Sequence, residues 1–307
     1  MTMVSAKEVI AIKKVYIIIL NYNGYKDTIE CLKSLKNLQY PNYSIVVCDN
    51  ASPNGSEGFI RQWMEKNKDL DVHFIQTGNN LGFAGGNNIG IRYALSNQAD
   101  YCWLLNNDTV VQSDALSKMV RKIEESDEYG VCGSKLISYD DRKTCIGICG
   151  WHSNVTGRSR HILDEKDFSP SNFDYVIGAS MLIKRKVFEQ VGLLQEDYFL
   201  YCEEIDFAER IKDKFKNCVA LNSIVYHKEG ATIGGGSPFS CFYLYKNNLK
   251  FAWRFHRYLF PINFIAFIYR IFRPDVKKPF SRMKMFYKVT KSLWHDIIYD
   301  MQAPPRL

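Results

Sequence analysis

The segment Tyr101-Cys-Trp-Leu-Leu-Asn-Asn-Asp108 joins an apolar run to three side chains that carry oxygen. The apolar run predicts a buried strand, and Asn-Asn-Asp follows at its carboxyl end. In open α/β sheets ligands bind at that edge. Carboxylate and amide oxygens also suit hard cations such as Mg²⁺ or Mn²⁺. Because Asn-Asn-Asp is also common in turns, this segment indicates a ligand site only in combination with others.

Outward from this segment, apolar runs alternate with segments of helical periodicity. Strands that alternate with helices imply an α/β fold with a doubly wound, mostly parallel sheet and flanking helices. A polar, Gly/Asn-rich loop is predicted over residues 78–90, followed by a helix through Leu95. The strands are predicted at residues 15–20, 43–48, 72–75, 101–105, 130–137, 175–183 and 218–226, and the other helices at 28–38, 59–67, 115–125, 186–191 and 203–215.

Size and composition favour one large α/β domain with an appendage. The 307 residues are 46% hydrophobic, which is enough for a substantial core, and no run of 18 apolar residues predicts a membrane-spanning helix. The first 14 residues lack the apolar region of a secretory signal. Nine scattered cysteines are typical of reduced thiols, so a cytoplasmic location is predicted. We expect a catalytic domain over residues 1–245 and a helical extension over 246–307.

The basic charge is concentrated in that extension. Residues 246–307 carry a net charge of +10, whereas residues 1–245 carry −3. Aromatic residues are interspersed with the basic ones, and the apolar stretch 258–272 is too short to span a bilayer. This pattern favours an interfacial helix on an anionic membrane surface. The alternative is a helical cap on the catalytic core or on the second subunit of a homodimer; no RNA-binding signature is present, so nucleic acid is not an expected partner.

Two further segments end predicted strands or begin helices near the same edge. Asp49 follows a strand, as Asp108 does, and its carboxylate could accept a hydrogen bond from a nucleobase or a ribose; an Asx-turn would also explain it. In residues 78–90, glycines such as Gly85 would let backbone amides approach a ligand closely. The spacing matches neither G-x-G-x-x-G nor a P-loop, and a flexible loop is the alternative.

Acidic residues also cluster at the start of the helix predicted from residue 203. Glu203, Glu204 and Asp206 are favoured there by the helix dipole, so simple capping is one explanation. In a cleft, however, adjacent carboxylates are candidates for a general base with a raised pKa. His227 ends the last predicted strand and could complete a metal site with Asp108, although a lone histidine is more often structural.

In order along the chain, these segments resemble the family 2 nucleotide-sugar glycosyltransferases of GT-A fold, in particular their bacterial rhamnosyltransferase-like branch. The resemblance covers about residues 14–250, and seven ordered motifs make it specific. The motifs are Ile19-Leu-Asn-Tyr-Asn-Gly24, Val47-Cys-Asp-Asn-Ala-Ser52, Gly78-Asn-Asn-Leu-Gly-Phe-Ala-Gly-Gly-Asn-Asn88, Leu105-Asn-Asn-Asp108, Gly178-Ala-Ser-Met-Leu182, Phe199-Leu-Tyr-Cys-Glu-Glu-Ile-Asp206 and Tyr226-His227.

The resemblance implies roles for individual residues. Glu204 matches the position of the catalytic base, with Glu203 as a substitute, and Asp108 ends the family's Asp-x-Asp and would bind Mg²⁺ or Mn²⁺. His227 would be a further metal ligand or a diphosphate contact. The implied nucleotide and donor contacts are Asn21, Asn23, Asp49, Asn80, Gly85, Asn87, Asn106 and Asn107.

Two positions depart from the family pattern. Asn106 replaces the first aspartate of Asp-x-Asp, which removes a charge but keeps an acceptor oxygen. Glu204 stands where the family usually has aspartate, whose side chain is one methylene shorter.

The implied reaction is inverting transfer of a sugar to a glycan or lipid-linked acceptor of a bacterial surface polysaccharide, such as O-antigen or capsule, on the inner face of the membrane. The resemblance favours dTDP-β-L-rhamnose as the donor; nothing in the residues selects rhamnose.

Three rival functions remain at this point. The same reaction could use a UDP-sugar donor. A sugar-nucleotide nucleotidyltransferase would require a Gly-rich basic loop directly after the first strand, and Asn21-Tyr-Asn-Gly24 is not such a loop. A catalytically weak, sugar-nucleotide-binding partner subunit is suggested by Asn106.

Overall fold

In the part of the chain that the structure describes, the fold comprises a nine-stranded sheet with helices on both faces, a two-stranded ribbon beside it and three helices after the last strand. The computed structural model describes residues 12–228, 237–272 and 279–302. The first half contains β1 (Val15–Asn21), α1 (Tyr25–Leu35), β2 (Tyr43–Asp49), α2 (Ser56–Glu65), β3 (Val72–Gln76), α3 (Gly82–Ser96) and β4 (Tyr101–Asn106).

The second half is more irregular, as its sequence pattern indicates. It contains β5 (Thr109–Val111), α4 (Ala115–Ile123), β6 (Tyr129–Ser138), β7 (Cys145–Gly147), β8 (Cys149–Ser153), β9 (Arg158–Ile162), β10 (Ser180–Lys184), α5 (Arg185–Val191), α6 (Glu203–Ile211) and β11 (Lys216–His227). The chain continues with α7 (Pro238–Phe255), α8 (Phe260–Phe272) and α9 (Pro279–Gln302).

The sheet confirms the predicted mostly parallel α/β class. Its strand order is β3-β2-β1-β4-β10-β6-β11-β5, with β7 paired to β6. Strands β1, β2, β3 and β4 run parallel, as do β6 and β11, whereas β10 is antiparallel to both of its neighbours. Side chains alternate across the sheet, so Ile17 and Ile19 of β1 join one buried cluster with α1 and α4, and Ile18 joins another with α3. Both faces of the sheet are therefore covered.

The prediction of a loop over residues 78–90 was wrong, because α3 already begins at Gly82. Its glycines permit close packing of this helix on β1. A Cβ placed on Gly90 would lie 2.5 Å from Ile18 Cγ2, and one on Gly86 would lie 2.3 Å from Leu20 Cδ1. The absence of side chains thus lets a helix lie close to the strand, which composition alone does not distinguish from a flexible loop.

The strand predicted over residues 175–183 is shorter and shifted, since β10 begins only at Ser180. Residues 138–172, whose polar pattern predicts no definite element, contain β7 and the β8–β9 hairpin. The predicted boundary at residue 245 lies inside α7. Helices α7, α8 and α9 share one buried apolar cluster, which includes Leu249, Phe267 and Leu293. Within the described ranges, no helix is both long and apolar enough to cross a bilayer.

Candidate functional site

The carboxyl ends of three parallel strands bring predicted site residues together. Asn21 at the end of β1 is in register with Asp49 at the end of β2, and Leu20 is in register with Asn106 at the end of β4. Asp108 lies in the turn between β4 and β5, while β5 pairs with the end of β11 through Thr109 and His227. Pairing of β11 with β5 therefore brings His227 to Asp108 across 119 residues of sequence.

Asp108, His227 and Asn106 form one corner of this edge. His227 Nε2 lies 3.1 Å from Asp108 Oδ1 and 3.5 Å from Asn106 Nδ2. Asp108 is 6% exposed, and the backbone N–H of Lys228 donates to its carbonyl oxygen at 3.1 Å. Within the described residues, neither Asp108 Oδ1 nor His227 Nδ1, both buried, makes a hydrogen bond. We refer to these three side chains as the cation corner.

The cation corner fits a small divalent ion. Neighbouring ligands of an octahedral ion with bonds of about 2.1 Å lie about 3 Å apart, which matches the distance from Asp108 to His227. Asp108 Oδ1 contacts the His227 imidazole at 3.1 Å without hydrogen-bond geometry, and a cation held by both groups would satisfy this buried oxygen. Among the described residues, no group of three His, Cys, Asp or Glu side chains could hold a metal ion, so Asp108 and His227 are the two ligands of this kind in the cation corner. This number is usual for Mg²⁺ sites that take their other ligands from substrate phosphates and water.

Glu203 and Glu204 begin α6, and they differ in exposure. Glu203 is 2% exposed, and its buried Oε1 has no hydrogen-bond partner among the described residues. Burial, followed by the charge of Glu204, raises the pKa of Glu203 well above its usual range. Glu204 is half-buried, and burial raises the pKa of its carboxyl too. A carboxyl of raised pKa is a stronger base than an exposed glutamate.

The short segment formed by Gly178 and Ala179 connects the surroundings of the Glu204 carboxyl group with the cation corner. Its Cδ is 4.0 Å from the position of a Cβ on Gly178, and the carbonyl of Ala179 accepts a hydrogen bond from the backbone N–H of Asn106 at 3.0 Å. The candidate base and the candidate cation ligands are therefore brought to one edge of the sheet by the pairing of β10 with β4.

Asp206, the third acid of this cluster, has a structural environment. It is fully buried, and Arg210 Nε lies 2.7 Å from its Oδ1 while Arg254 Nη1 lies 3.3 Å from its Oδ2. The Tyr198 hydroxyl also donates to Oδ2 at 3.0 Å. Because both oxygens are engaged, Asp206 anchors α6 to its surroundings.

The Asp49 carboxylate is fully buried and engaged by three neighbouring residues. Asn21 Nδ2 and the Ser52 hydroxyl donate to Oδ1 at 2.5 and 2.6 Å, and the Ser52 N–H and Gln76 Nε2 donate to Oδ2, both at 3.0 Å. These four hydrogen bonds occupy its acceptor positions. The Asx-turn alternative is thus present in the structure, and a contact between Asp49 and a base remains a prediction that requires one of these donors to move.

The predicted contacts in and before α3 lie around its first turns. Asn80 is exposed, and its Oδ1 accepts from the Gly82 N–H at 3.1 Å. Gly85 is buried, and a Cβ on it would lie 2.7 Å from the Leu81 Cβ. Asn87 is buried and donates to the Phe83 carbonyl of its own helix at 2.9 Å. These residues support the amino end of α3, and their contacts with the donor remain predictions.

Two other predicted residues lie in the loops that follow β1 and β4. Asn107 is buried, and its Nδ2 donates to the Gly24 carbonyl at 3.3 Å and to Thr28 Oγ1 at 3.1 Å. Asn23 is exposed with a φ of +59°, and the Ser52 hydroxyl accepts its N–H at 2.8 Å. Asn107 therefore fixes the loop after β1, whereas the Asn23 side chain remains available at the surface.

Two residues beside this edge were not predicted from the sequence. Lys228 follows His227, and its Nζ lies 2.5 Å from Asp27 Oδ1 and 2.7 Å from Glu30 Oε2. Asn247 of α7 is fully buried and donates to three carbonyls of residues 198–201, just before Glu203. The sequence Tyr245-Lys-Asn247 gives no local indication of what a helical asparagine contacts.

The sequence relatives are glycosyltransferases. Residues 16–192 match the family described as Glycosyl transferase family 2. The low-salt glycan biosynthesis hexosyltransferase Agl10 of Haloferax volcanii is 30% identical over 200 residues, which cover 64% of this chain and 61% of that protein. The dTDP-rhamnosyl transferase RfbF of Shigella flexneri is 25% identical, covering 61% and 59%, and the rhamnosyltransferase WbbL of Escherichia coli is 29% identical, covering 64% and 76%. The match thus spans about 60% of the first two relatives.

Solved structures share the fold at low sequence identity. The mannosyltransferase PcManGT from Pyrobaculum calidifontis, in complex with GDP-Man and Mn²⁺, superposes with a TM-score of 0.59 at 15% identity, over 93% of this chain and 75% of that one. S. aureus TarS 1-349 in complex with UDP-GlcNAc gives 0.57 at 14% identity, over 91% and 80%. These likenesses confirm the predicted GT-A fold. The family match covers more than half of the sequence, and the chain therefore belongs to glycosyl transferase family 2.

Proposed function

We propose that this protein is an inverting glycosyltransferase that moves a sugar from a nucleoside-diphosphate donor to a hydroxyl of a glycan or lipid-linked acceptor. The observation that carries the proposal is the placement of the half-buried Glu204 and the cation corner at one edge of the sheet. A base and a site for a diphosphate are the two elements that such a transfer requires. We place the reaction in bacterial surface polysaccharide synthesis, such as that of O-antigen or capsule.

Glu204 acts as the base in this proposal. Its carboxylate takes the proton of the acceptor hydroxyl, the hydroxyl oxygen bonds to the anomeric carbon, and the bond from that carbon to the diphosphate oxygen breaks with its electron pair on the nucleotide. A single displacement from the opposite face inverts the anomeric centre. Burial of Glu203, followed by the charge of Glu204, raises the pKa of the Glu203 carboxyl well above its usual range, so the two neighbouring acids differ in acidity.

Asp108 and His227 would hold the cation, Mg²⁺ or Mn²⁺, and Asn106 would complete the cation corner. When bound, the ion supplies positive charge to the departing diphosphate. Rotation of the Asn106 amide by half a turn directs its oxygen to the position that its nitrogen now occupies, so this residue can serve as a neutral ligand. The complex of PcManGT contains Mn²⁺ together with GDP-Man, which supports a divalent cation in this fold.

For the donor we propose dTDP-β-L-rhamnose. The names of RfbF and WbbL support a rhamnosyl donor, and the name of RfbF supports a dTDP carrier. The TarS complex with UDP-GlcNAc keeps a UDP-sugar as the alternative.

Asn106 favours a second candidate function, a catalytically weak sugar-nucleotide-binding subunit, since it removes one charge from the cation corner.

We also propose that the protein works in the cytoplasm on the inner membrane surface, through α8 and α9. Among the described residues, seven large apolar side chains on these two helices are more than 45% exposed: Ile262, Ile265, Tyr269, Met283, Tyr287, Trp294 and Ile298. Lys284, Lys288 and Lys291 are exposed on α9 beside them. Apolar and basic side chains on one surface fit an anionic bilayer. Pairing with a second copy of the chain is the alternative for the same surface.

Calorimetric titration of the full chain with dTDP and with UDP, each with and without Mn²⁺, tests the proposal. Binding of dTDP that requires Mn²⁺ and exceeds that of UDP would support both the cation corner and the proposed donor. Preference for UDP would move the donor to a UDP-sugar. Binding without hydrolysis or transfer from any donor would favour the partner subunit, and binding of neither nucleotide would contradict the proposed function.

A further inference from the structure

The segment that precedes Glu203 has an unusual backbone. Phe199, Tyr201 and Cys202 have φ values of +65°, +68° and +75°, although none of them is glycine. Such a conformation is strained and persists only where the surroundings of the residue hold it in place. Residues 198–202, which we term the base loop, therefore carry concentrated strain directly before the two glutamates.

The first part of the base loop is a γ-turn. Phe199 has a ψ of −49°, and the N–H of Leu200 donates to the carbonyl of Tyr198 at 2.8 Å. This is the strained form of the turn, which is rare. The Phe199 carbonyl accepts from the N–H of Phe83 at 2.7 Å, and Gly82 is so close that a Cβ on it would lie 2.2 Å from that oxygen.

The Asn247 side chain of α7 holds the base loop from the other side. Its Nδ2 lies 2.9 Å from the carbonyl oxygen of Tyr198, 2.7 Å from that of Leu200 and 3.1 Å from that of Tyr201. The side chain is fully buried, so water does not substitute for these bonds. Its Oδ1 has no hydrogen-bond partner among the described residues. A buried acceptor without a partner is unfavourable, but the opposite amide orientation would place its oxygen against the carbonyl oxygens.

Helix α7 is itself fixed to α6, so the position of Asn247 is defined. Arg254 of α7 pairs with the buried Asp206 of α6 at 3.3 Å, and the ring of Tyr243 stacks on Phe199 at 5.1 Å between centroids. Asn247 thus projects from a rigid element onto a strained loop, and Glu203 and Glu204 follow that loop without an intervening residue.

We propose that Asn247 is a positioning residue for the transfer reaction, which fixes the base loop and thereby the direction in which α6 presents Glu204. This inference rests on the proposed function of Glu204. Asn247 touches neither the cation corner nor the nucleotide side of the edge among its described hydrogen bonds. Its loss should therefore reduce kcat and leave nucleotide binding nearly unchanged.

The test compares Asn247→Ala with Asn263→Ala in the full chain. Asn263 is a matched control, because it is also a buried helical asparagine and donates across to a loop carbonyl, that of Asn154, at 2.8 Å. For each variant we would measure kcat, the KM of the donor, the Kd of the nucleoside diphosphate and hydrogen exchange at the amides of residues 199–204. Thermal unfolding of both variants shows how far a general loss of stability contributes.

We expect Asn247→Ala to lower kcat by about 10- to 100-fold, since small displacements of a catalytic group have effects of this size. KM and Kd should stay within about twofold of the wild-type values, because uniform binding is unaffected. Exchange should accelerate at residues 199–204 in Asn247→Ala and only around residue 154 in Asn263→Ala. Asn247→Ser, which retains one donor, should be intermediate and serves if the alanine variant does not fold.

Equal kcat values for the two alanine variants, or unchanged exchange in the base loop of Asn247→Ala, would overturn the proposal. If the wild-type protein transfers and hydrolyses no donor, the proposed function has failed independently. Hydrogen exchange alone then decides whether Asn247 holds the base loop, so the two failures are distinguishable.

Discussion

At the scale of single residues, burial separates two glutamates that are adjacent in sequence. Glu203 is enclosed, and burial raises the pKa of its carboxyl, whereas Glu204 faces the segment at Gly178 and remains half-buried. The helix start explains why acids are tolerated here, since its dipole favours negative charge. It does not explain why Glu203 and Glu204 have no cationic partner within the part of the chain that the structure describes, while Asp206 has two arginines. That difference supports a chemical role for Glu204.

Replacement of Glu204 by glutamine should lower kcat by about 10²- to 10⁴-fold, because the acceptor hydroxyl then loses its base. The base acts as a carboxylate, and burial raises its pKa, so the wild-type rate should fall as pH drops through that raised pKa. This acidic limb should vanish in Glu204→Gln. The measurement is kcat against pH, with Glu209→Gln in the last turn of α6, where the carboxylate pairs with Lys212, as the control. A normal rate for Glu204→Gln with loss in Glu203→Gln would assign the base to Glu203 instead.

Replacement of Asn106 by aspartate should strengthen cation binding. The new carboxylate would stand 3.5 Å or so from His227 and beside Asp108, so the cation corner would gain a charged ligand. An additional carboxylate ligand should tighten Mn²⁺ binding by about tenfold, since charge count tunes such sites. Calorimetric Mn²⁺ titration in the presence of dTDP measures this, with the exposed Asn97→Asp as a control for added charge. Unchanged affinity would argue that Asn106 lies outside the cation sphere.

The sequence predicts which residues lie at the carboxyl edge of the sheet better than it predicts the hydrogen bonds that their side chains make there. Asp49, Asp108 and His227 follow apolar runs, so strand pairing brings them together as expected. Whether a carboxylate is then available depends on neighbours from other elements. Gln76 of β3 and Ser52 of the following loop complete the shell around Asp49, and no local pattern indicates this.

At the scale of elements, α3 shows why a glycine-rich composition does not by itself distinguish a loop from a helix. A segment with glycines at 82, 85, 86 and 90 has low helix propensity, so a loop was predicted. Tertiary packing overrides that preference, because the helix can lie against β1 only where Cβ atoms are absent. The base loop is a second example: its positive φ values come from contacts with α7 and α3, and residues such as Phe199 and Tyr201 give no local indication of them.

Alanine at Gly90 should lower the free energy of unfolding by about 1–3 kcal/mol, because its Cβ would overlap Ile18 in a close-packed interface. Gly58 in α2 offers a matched control. A Cβ there meets nothing within 4 Å, so Gly58→Ala should instead stabilise the protein by about 0.5–1 kcal/mol through helix propensity. Urea unfolding followed by circular dichroism measures both. If both substitutions stabilise, α3 does not pack on β1 as closely as described.

At the scale of the whole molecule, the carboxyl-terminal helices connect the candidate site with a surface that exposes large apolar side chains. One side of α7 carries Asn247 against the base loop, and another side packs with α8 and α9. The predicted boundary at residue 245 therefore cuts a helix that contacts the candidate site. A truncation there would remove Asn247 together with the exposed apolar surface, so the membrane proposal is better tested by substitutions in the full chain.

Glutamate at Ile265, which is 66% exposed on α8, should weaken binding to vesicles that contain phosphatidylglycerol. A buried isoleucine contributes about 1.5–3 kcal/mol, so the loss should reach about tenfold in the partition coefficient. Lys288→Glu on α9 should have a similar effect that shrinks at high salt, since its contribution is electrostatic. Vesicle flotation measures both, with Phe59→Glu on α2 as the control, because Phe59 is 47% exposed and distant in sequence from this surface.

Unchanged flotation of Ile265→Glu, accompanied by a change from dimer to monomer in light scattering, would instead assign the surface to a second copy of the chain.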